Sequence, residues 1–323
     1  MPVTGRYAVQ GAQVRVGLEL WARRAGASIL IEDDASKPER AARLHAELLG
    51  RACRFVLGPY GSDCTRAVAA ERRGAVVWNH GAAADDVQRM PGVVSVPSPA
   101  SRYLVALGRA LAALRPGAAV ALVTAGGTFA RFAREGLERA AGALDLNVVA
   151  RFSFSDPPAR IAATRCDAIL VCGPLKREVE LFGSLAVRRP DALLGGVSPG
   201  LAAFPSLLGC DPEGLIAPVQ WHPDLGNAPE LGPASAEVIA DARAACHGGL
   251  DYLAAQAHAT ALIAERCLEL AGDDPLRVAR ALRTTTFFGA FELDPESGIQ
   301  DAHRLSAVRW RGGARELLLA DAA

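Results

Sequence analysis

Lysine is almost absent: of 35 basic side chains only Lys37 and Lys176 are lysines, and the rest are arginines. The acidic residues also number 35, so the formal charge is zero. No basic excess exists to draw the protein to nucleic acid or to an anionic membrane surface. Long apolar runs are lacking as well. Stretches such as 118–123 fall far short of the roughly 18 residues that cross a bilayer, so no membrane insertion is expected. Residues 1–11 contain neither a basic segment nor an apolar core, and no secretory signal is written there.

Cysteine pairs at CxxC spacing are absent too. The seven cysteines, at 53, 64, 166, 172, 210, 246 and 267, are odd in number, which excludes a complete disulfide framework and a zinc knuckle. They read as buried free thiols, and Cys166, Cys172 and Cys267 sit inside apolar runs where cysteine packs as a small hydrophobe. The six histidines, at 45, 80, 222, 247, 258 and 303, show no metal-binding spacing and read as surface or packing residues; no metal is expected. No GxGxxG follows the first strand and no lysine follows "GPYGSDCT", so dinucleotide and P-loop sites are excluded and no cofactor is expected.

What the sequence does contain is alternation. Apolar, β-branched runs at 27–33, 54–58, 75–79, 119–124, 148–154, 167–173 and 192–197 are separated by helical patterns, which predicts an α/β chain with parallel sheets. Ser36, Pro38 and Glu39 read as a capping box, and Asp274-Pro275 as a second helix start. In 38–49 Ala41, Leu44 and Leu48 form an apolar stripe, and in 251–270 Leu253, Ala257, Ala261, Ala264 and Leu268 line one face. The Pro-rich segments 93–103 and 215–233 and the late segment 284–295 read as crossings between two lobes. With half of its 323 residues hydrophobic, the chain can fill two cores.

Two strand-to-helix turns invite chemistry: 56–65, "VLGPYGSDCT", and 78–85, "WNHGAAAD". Parallel strands deliver their C-terminal ends to one sheet edge, where the free amides of a following helix meet polar groups of a ligand. Ordinary turns account for both stretches equally well on physics alone. Ser62 is not in GxSxG, and a Ser62–His80 hydrolase has no third residue or oxyanion signature. Asp33-Asp34 read as a surface turn favouring the helix behind it, ahead of a ribose or metal clamp.

The ordered segments "EDDASKPERAARLHAELL", "FVLGPYGSDCTRAV", "GAVVWNHGAAADDV", "VPSPASRYLVALGRAL", "GLIAPVQWHP", "YLAAQAHATALIAE" and "TTTFFGAFELDPESGIQ" resemble the amino-acid and amide solute-binding proteins of ABC transporters, of the branched-chain amino acid receptor type. The resemblance runs from about residue 3 to residue 311. It implies a type I periplasmic-binding-protein fold: two Rossmann-like lobes with parallel sheets, joined by three crossover strands, residues 1–98 and 229–286 forming one lobe and 99–228 and 287–323 the other. It further implies a non-enzymatic protein that closes by hinge motion on a small polar or aromatic ligand and docks on an ABC permease, in the periplasm if a signal peptide precedes this sequence and in the cytoplasm otherwise. A sensor of the same fold, reading amides in the cytoplasm, is the alternative.

Carried across by position, the resemblance assigns ligand contacts to Tyr7, Tyr60, Gly61, Ser62, Asn79, His80, Gly81, Ala82 and Ala83, to Phe129, Pro174 and Ser198, and to Trp221. Ala83 and Ser198 stand where amino-acid receptors commonly have a threonine and an acidic partner for the ligand ammonium. A buried ammonium without a carboxylate is costly, so the expected ligand is an amide, a carboxylate or an amino-acid derivative other than a typical α-amino acid. Members of the family also begin with a strand central to the first sheet, whereas this sequence starts at Met1-Pro2; the resemblance implies a first lobe without that strand, or a sequence that begins inside a longer gene.

Overall fold

The alternation folds into two units, Met1–Pro99 with Gln220–Arg304 (unit 1) and Ala100–Val219 with the residues from Leu305 onward (unit 2). The computed structural model describes residues 1–51, 53–245, 249–272 and 274–319. Cys246 and His247 lie outside the described residues. The chain passes between the units three times, after Pro99, Val219 and Arg304, against expected junctions at 98–99, 228–229 and 286–287.

In unit 1 the chain enters helix α1 (Ala8–Ala25), which Gly26 ends in the left-handed region with φ 62°. Helices α2 (Pro38–Leu49) and α3 (Ser62–Glu71) follow, then β1 (Val77–Asn79), α4 (Asp85–Gln88) and β2 (Val93–Ser95). β1 and β2 pair in parallel. The runs at 27–33 and 54–58, expected as strands, are extended chain outside any ladder apart from a parallel bridge from Leu57 to Trp78. A strand needs a hydrogen-bonding neighbour, and 28–31 have none among the described residues.

The expected capping box is not formed. Ser36 adopts φ 56°, its N–H donates to Asp34 Oδ1 at 2.7 Å, and its Oγ accepts from the Tyr7 N–H at 3.1 Å. The N-cap of α2 is Lys37, without a side-chain cap. Asp33 and Asp34 face the chain start instead of serving α2. Asp33 accepts from the Val3 and Thr4 amides at 2.9 and 3.0 Å, and Asp34 pairs with the terminal ammonium at 3.4 Å. Desolvation pushes the Asp33 carboxyl up, but the hydrogen bonds from Thr4, Ala35 and Val3 together outweigh it and hold the group well below the usual range.

Unit 2 opens with α5 (Tyr103–Leu114) and continues through β3 (Ala119–Thr124), α6 (Thr128–Ala140), β4 (Asn147–Phe152), α7 (Pro158–Ala162), β5 (Ala168–Cys172), α8 (Leu175–Arg188), β6 (Leu193–Gly196), α9 (Phe204–Leu208) and β7 (Ile216–Val219). β5 is buried at every position, as its unbroken "AILVC" requires of a parallel strand covered on both faces, while edge strand β4 alternates exposed and half-buried residues. Among the seven cysteines, Cys64, Cys172 and Cys267 are buried as expected, but Cys166 is half-buried and Cys53 and Cys210 are exposed.

The chain then returns to unit 1 with α10 (Ser235–Ala244), α11 (Tyr252–Leu270), α12 (Pro275–Ala281) and the hairpin β8 (Thr284–Thr286) and β9 (Gly289–Phe291). Asp274 caps α12 as predicted, accepting from the Arg277 N–H at 2.9 Å. α11 is buried all round over 252–261, beyond the single face expected, because it packs on α1 through Ala257 and Ala261 against Val14, Leu18, Trp21 and Ala22. A side chain at Gly17 would collide with the Ala254 backbone, so only glycine permits that approach. β10 (Ser306–Arg311) and β11 (Ala314–Leu319) finally add an antiparallel edge to unit 2, whose sheet is therefore mixed, in the order β11-β10-β7-β6-β5-β3-β4.

Segment 287–304 stays with unit 1 because its aromatics are buried there: Phe287 lies edge-on to Trp221 at 5.8 Å, and Phe288 stacks on His303 at 4.2 Å. On this unit the three passages are bonded to one another. Gln220 Oε1 accepts from the Ser98 N–H at 3.0 Å, the Ser98 hydroxyl donates to the His303 carbonyl at 2.9 Å, and His303 Nε2 meets the Gln220 carbonyl at 2.9 Å. Gln300 extends the clasp, donating to the Val96 and Ala290 carbonyls at 3.1 and 3.2 Å and accepting from the Ala302 and His303 amides at 3.0 and 3.2 Å. Gln300→Leu leaves these buried backbone groups unpaired and is expected to destabilise unit 1 by about 2–4 kcal/mol, read as a lower urea midpoint at unchanged slope.

Candidate functional site

The two turns singled out in the sequence interlock at one edge of unit 1. Gly61, at φ 94°, precedes α3 and donates its N–H to the Gly81 carbonyl at 3.1 Å. A β-carbon on Gly61 would stand 2.7 Å from the Tyr7 ring, and one on Gly81 would collide with the Tyr60 ring. Both glycines thus let two aromatic rings close over the turns. Tyr7 and Tyr60, each half-buried, meet edge-on at 5.3 Å, and the Arg6 guanidinium sits 4.6 Å over Tyr7 while pairing with Asp63 at 2.9 Å. Burial pushes the Tyr7 phenol up, so the ring presents a neutral hydroxyl.

Asn79, fully buried, shapes the second turn. Its Oδ1 accepts from the Gly81 and Ala82 amides at 3.1 and 2.7 Å, and its Nδ2 donates to the Ala82 carbonyl and Ser95 Oγ at 2.7 and 2.8 Å. Ser62 Oγ accepts from the Ala84 N–H at 3.2 Å, joining the two turns a second time. Ala82 and Ala83 are buried in that turn. The His80 side chain is buried, its ring centroid is 6.4 Å from that of Tyr60, and its Nδ1 has no hydrogen-bond partner among the described residues. A Ser62–His80 catalytic pair is not formed through that nitrogen.

Unit 2 presents a comparable edge. Phe129, half-buried in the first turn of α6, packs edge-on to Tyr103 at 5.0 Å. Pro174 is exposed at the start of α8, and Ser198 is buried in a short 3-10 turn after β6. The residue that joins the turns carrying Pro174 and Ser198 was not singled out from the sequence. Glu178, fully buried in α8, accepts from the Gly173 N–H at 2.7 Å and the Ser198 N–H at 2.8 Å, tying together the turns after β5 and β6. Its only sequence signal is an acid in the first turn of a helix that follows a strand. Gln256 was missed likewise; its amide donates to the His80 carbonyl.

Trp221 belongs to unit 1, where it is 2% exposed. Its indole N–H has no acceptor among the described residues. All five described histidines are buried, so none is a surface residue, and no group of metal-ligating side chains occurs among the described residues.

These buried groups titrate in opposite senses. Burial lowers His80 and His258 from 6.5 to about 4, with the terminal ammonium adding to the effect at His80. Between pH 6.5 and 4 the unfolded chain binds protons that the folded chain refuses, so their contribution to unit 1 is complete above 6.5 and is lost on acidification. Burial raises Glu178 from 4.5 to about 7 despite hydrogen bonds from the Ser198 and Gly173 amides and the Ser198 hydroxyl, so its contribution to unit 2 is complete below 4.5 and declines as pH rises to 7. Urea unfolding followed by a probe in each unit is expected to show unit 1 weakening and unit 2 strengthening from pH 7 to 4.5; Glu178→Gln flattens the second trend alone.

Comparison with known proteins follows this geometry. The family model described as periplasmic binding protein matches residues 1–310. No curated protein matches the chain. Among solved structures, the chain is similar to an ABC transporter solute-binding protein from R. palustris in complex with benzoate, at 19% identity, 98% of this chain, 93% of that one and a TM-score of 0.79. It is similar also to a solute-binding protein from Rhodopseudomonas palustris in complex with 3,4-dihydroxybenzoic acid, at 16% identity, coverages of 99% and 96% and a TM-score of 0.76. A branched-chain amino acid transporter substrate-binding protein from Streptococcus pneumoniae in complex with isoleucine gives 16%, 97%, 95% and 0.82. With the family match spanning nearly the whole chain and the α/β architecture shared with these structures, the chain belongs to the periplasmic binding protein family, with the type I fold.

Proposed function

We propose that this protein is the solute-binding component of an ABC transporter for a small aromatic carboxylate, working outside the cytoplasm and delivering its ligand to a permease. The observation that carries the reading is the Tyr7–Tyr60 pair standing beside the Ser62 hydroxyl at the start of α3. An aromatic ring matches the pair, and a carboxylate matches the donors. Ser62 Oγ already accepts from Ala84, so its own O–H remains to donate, next to the first-turn amides of α3. The unpartnered Trp221 indole N–H is a further buried donor suited to an acceptor on the ligand.

An α-amino acid is disfavoured by the same residues. Among the residues assigned to the ligand there is no acid, Asp63 beside Ser62 is paired with Arg6, and Glu178 beneath Ser198 is engaged by two amides. An ammonium would be left without a partner, at a cost of several kcal/mol. That two solved structures of the same fold hold benzoate and 3,4-dihydroxybenzoic acid supports the carboxylate over the amide, both of which the sequence had left open. Phe129, Pro174 and Ser198 are proposed to serve the ligand from unit 2.

Thermal unfolding with benzoate, isoleucine and acetamide, each at millimolar excess, tests the reading. Benzoate is expected to stabilise, by about 2.7 kcal/mol at 100 times its Kd, and the other two not to. Ser62→Ala is expected to weaken benzoate binding by about 1–2 kcal/mol in calorimetric titration while the unliganded Tm stays put. Stabilisation by isoleucine alone overturns the carboxylate assignment, and unchanged affinity in the serine variant removes Ser62 from the site.

A further inference from the structure

In unit 2, β4 and β5 flank β3 on opposite sides, so the helix after β3 leads away to β4 while the helix after β5 leads the other way, to β6. The carboxyl ends of β3 and β5 are therefore the switch point of this sheet, where an open α/β sheet leaves a crevice for a ligand. The Ala125 N–H donates to the Cys172 carbonyl at 2.9 Å and ties these two ends together. Beyond β3 stand Gly126 and Gly127, at each of which an added β-carbon would meet nothing within 4 Å. That flank of the crevice is open.

The flank beyond β5 is covered. A β-carbon added at Gly173 would stand 2.3 Å from the Phe154 ring. Phe154 follows β4, which pairs with β3 and not with β5, and two strand spacings amount to about 10 Å. To reach Gly173, the chain after β4 and the Phe154 ring together cross beyond the carboxyl end of β3. The ring thus lies at the switch point, against the residue before Pro174, and it is only half-buried.

Three contacts hold it there. Asp156 accepts from the Ser153 N–H at 2.8 Å and from the Ser153 hydroxyl at 3.1 Å, closing the turn that carries Phe154. Arg177, in the first turn of α8, donates to the Phe154 carbonyl at 2.5 Å, and its guanidinium lies 5.7 Å from the centre of the ring. Gly173 supplies the third contact, because its lack of a side chain admits the ring edge. A ring held in this way has lost much of its freedom before a ligand arrives, so stacking on it costs little further ordering.

We propose that Phe154 is a specificity-determining residue, the platform in unit 2 on which the ring of the ligand stacks, with Gly173 and Arg177 as its positioning residues. The inference rests on the aromatic-carboxylate reading above and adds to it a residue absent from the contacts assigned from sequence. Ring pairs gain over equal apolar contact because the face and the edge of a π system carry opposite partial charge. A saturated ring has no such face. Phe154 therefore favours benzoate over cyclohexanecarboxylate, which carries the same acid on a ring of similar bulk.

Calorimetric titration of the wild-type protein, Phe154→Leu and Gly173→Ala with these two acids tests the assignment. Phe154→Leu is expected to weaken benzoate about 5-fold and cyclohexanecarboxylate by less than about 2-fold, so that the preference for the aromatic acid falls. Gly173→Ala, which displaces the ring, is expected to do the same, and to change neither affinity once Phe154→Ala has removed the ring. Equal weakening of both acids marks a merely structural role and overturns the proposal. Should Phe154→Leu not fold, the Gly173→Ala measurements decide in the same way. A wild-type protein that binds neither acid overturns the aromatic-carboxylate reading and this inference with it, whereas benzoate binding that both variants leave untouched overturns this inference alone.

Discussion

A parallel sheet covered by helices on both faces has no water to satisfy its backbone, so every strand within it must find partners on both sides or lie at an edge. Unit 2 meets this constraint with five parallel strands, β7, β6, β5, β3 and β4, and an antiparallel pair that finishes one edge. Unit 1 meets it unevenly. β1 and β2 pair, 54–58 is attached at a single bridge, and among the described residues 28–31 make no backbone hydrogen bond, while Glu32 is bonded through Met1.

The candidate ligand edge rests on buried groups whose hydrogen bonds are spent within the protein. Asn79 spends all its hydrogen-bonding capacity on the 79–84 turn and Ser95, and Glu178 spends its carboxylate on two amides of unit 2. Asn79 sets one turn and Glu178 joins two, so Tyr60, Ser62 and Pro174 need no strain of their own. Glu178 carries the cost of that arrangement as a raised pKa, since desolvation outweighs the hydrogen bonds it accepts. The Ser98, Gln220 and His303 clasp does for the three chain passages what Asn79 does for a turn: it replaces water with fixed partners.

The resemblance read from sequence located the fold through ordered segments rather than through any catalytic motif, and the family match over residues 1–310 agrees with it. The strands of unit 2 were legible because "AVALVT", "DAILVCG" and "ALLGGV" are short apolar runs with flanking turns, and each became a strand within a residue or two of its expected ends. Equally apolar runs at 27–33 and 54–58 did not, because strand formation is a property of a pair and the partner is not written in the run itself. The Ser36 capping box failed for a related reason: the hydroxyl found the Tyr7 amide, 29 positions away in sequence, before it found its own helix.

By itself the amino-acid sequence determined the α/β class, the absence of nucleotide and metal motifs, the helix start at Asp274 and the two glycine-bearing turns, all of which depend on neighbours within a few residues. Only the tertiary structure decided that Asn79 sets the second of those turns, that Glu178 ties together two turns of unit 2, and that Trp221 is buried with a donor to spare. Those outcomes depend on which groups meet across distant parts of the chain, and local pattern carries no record of such meetings.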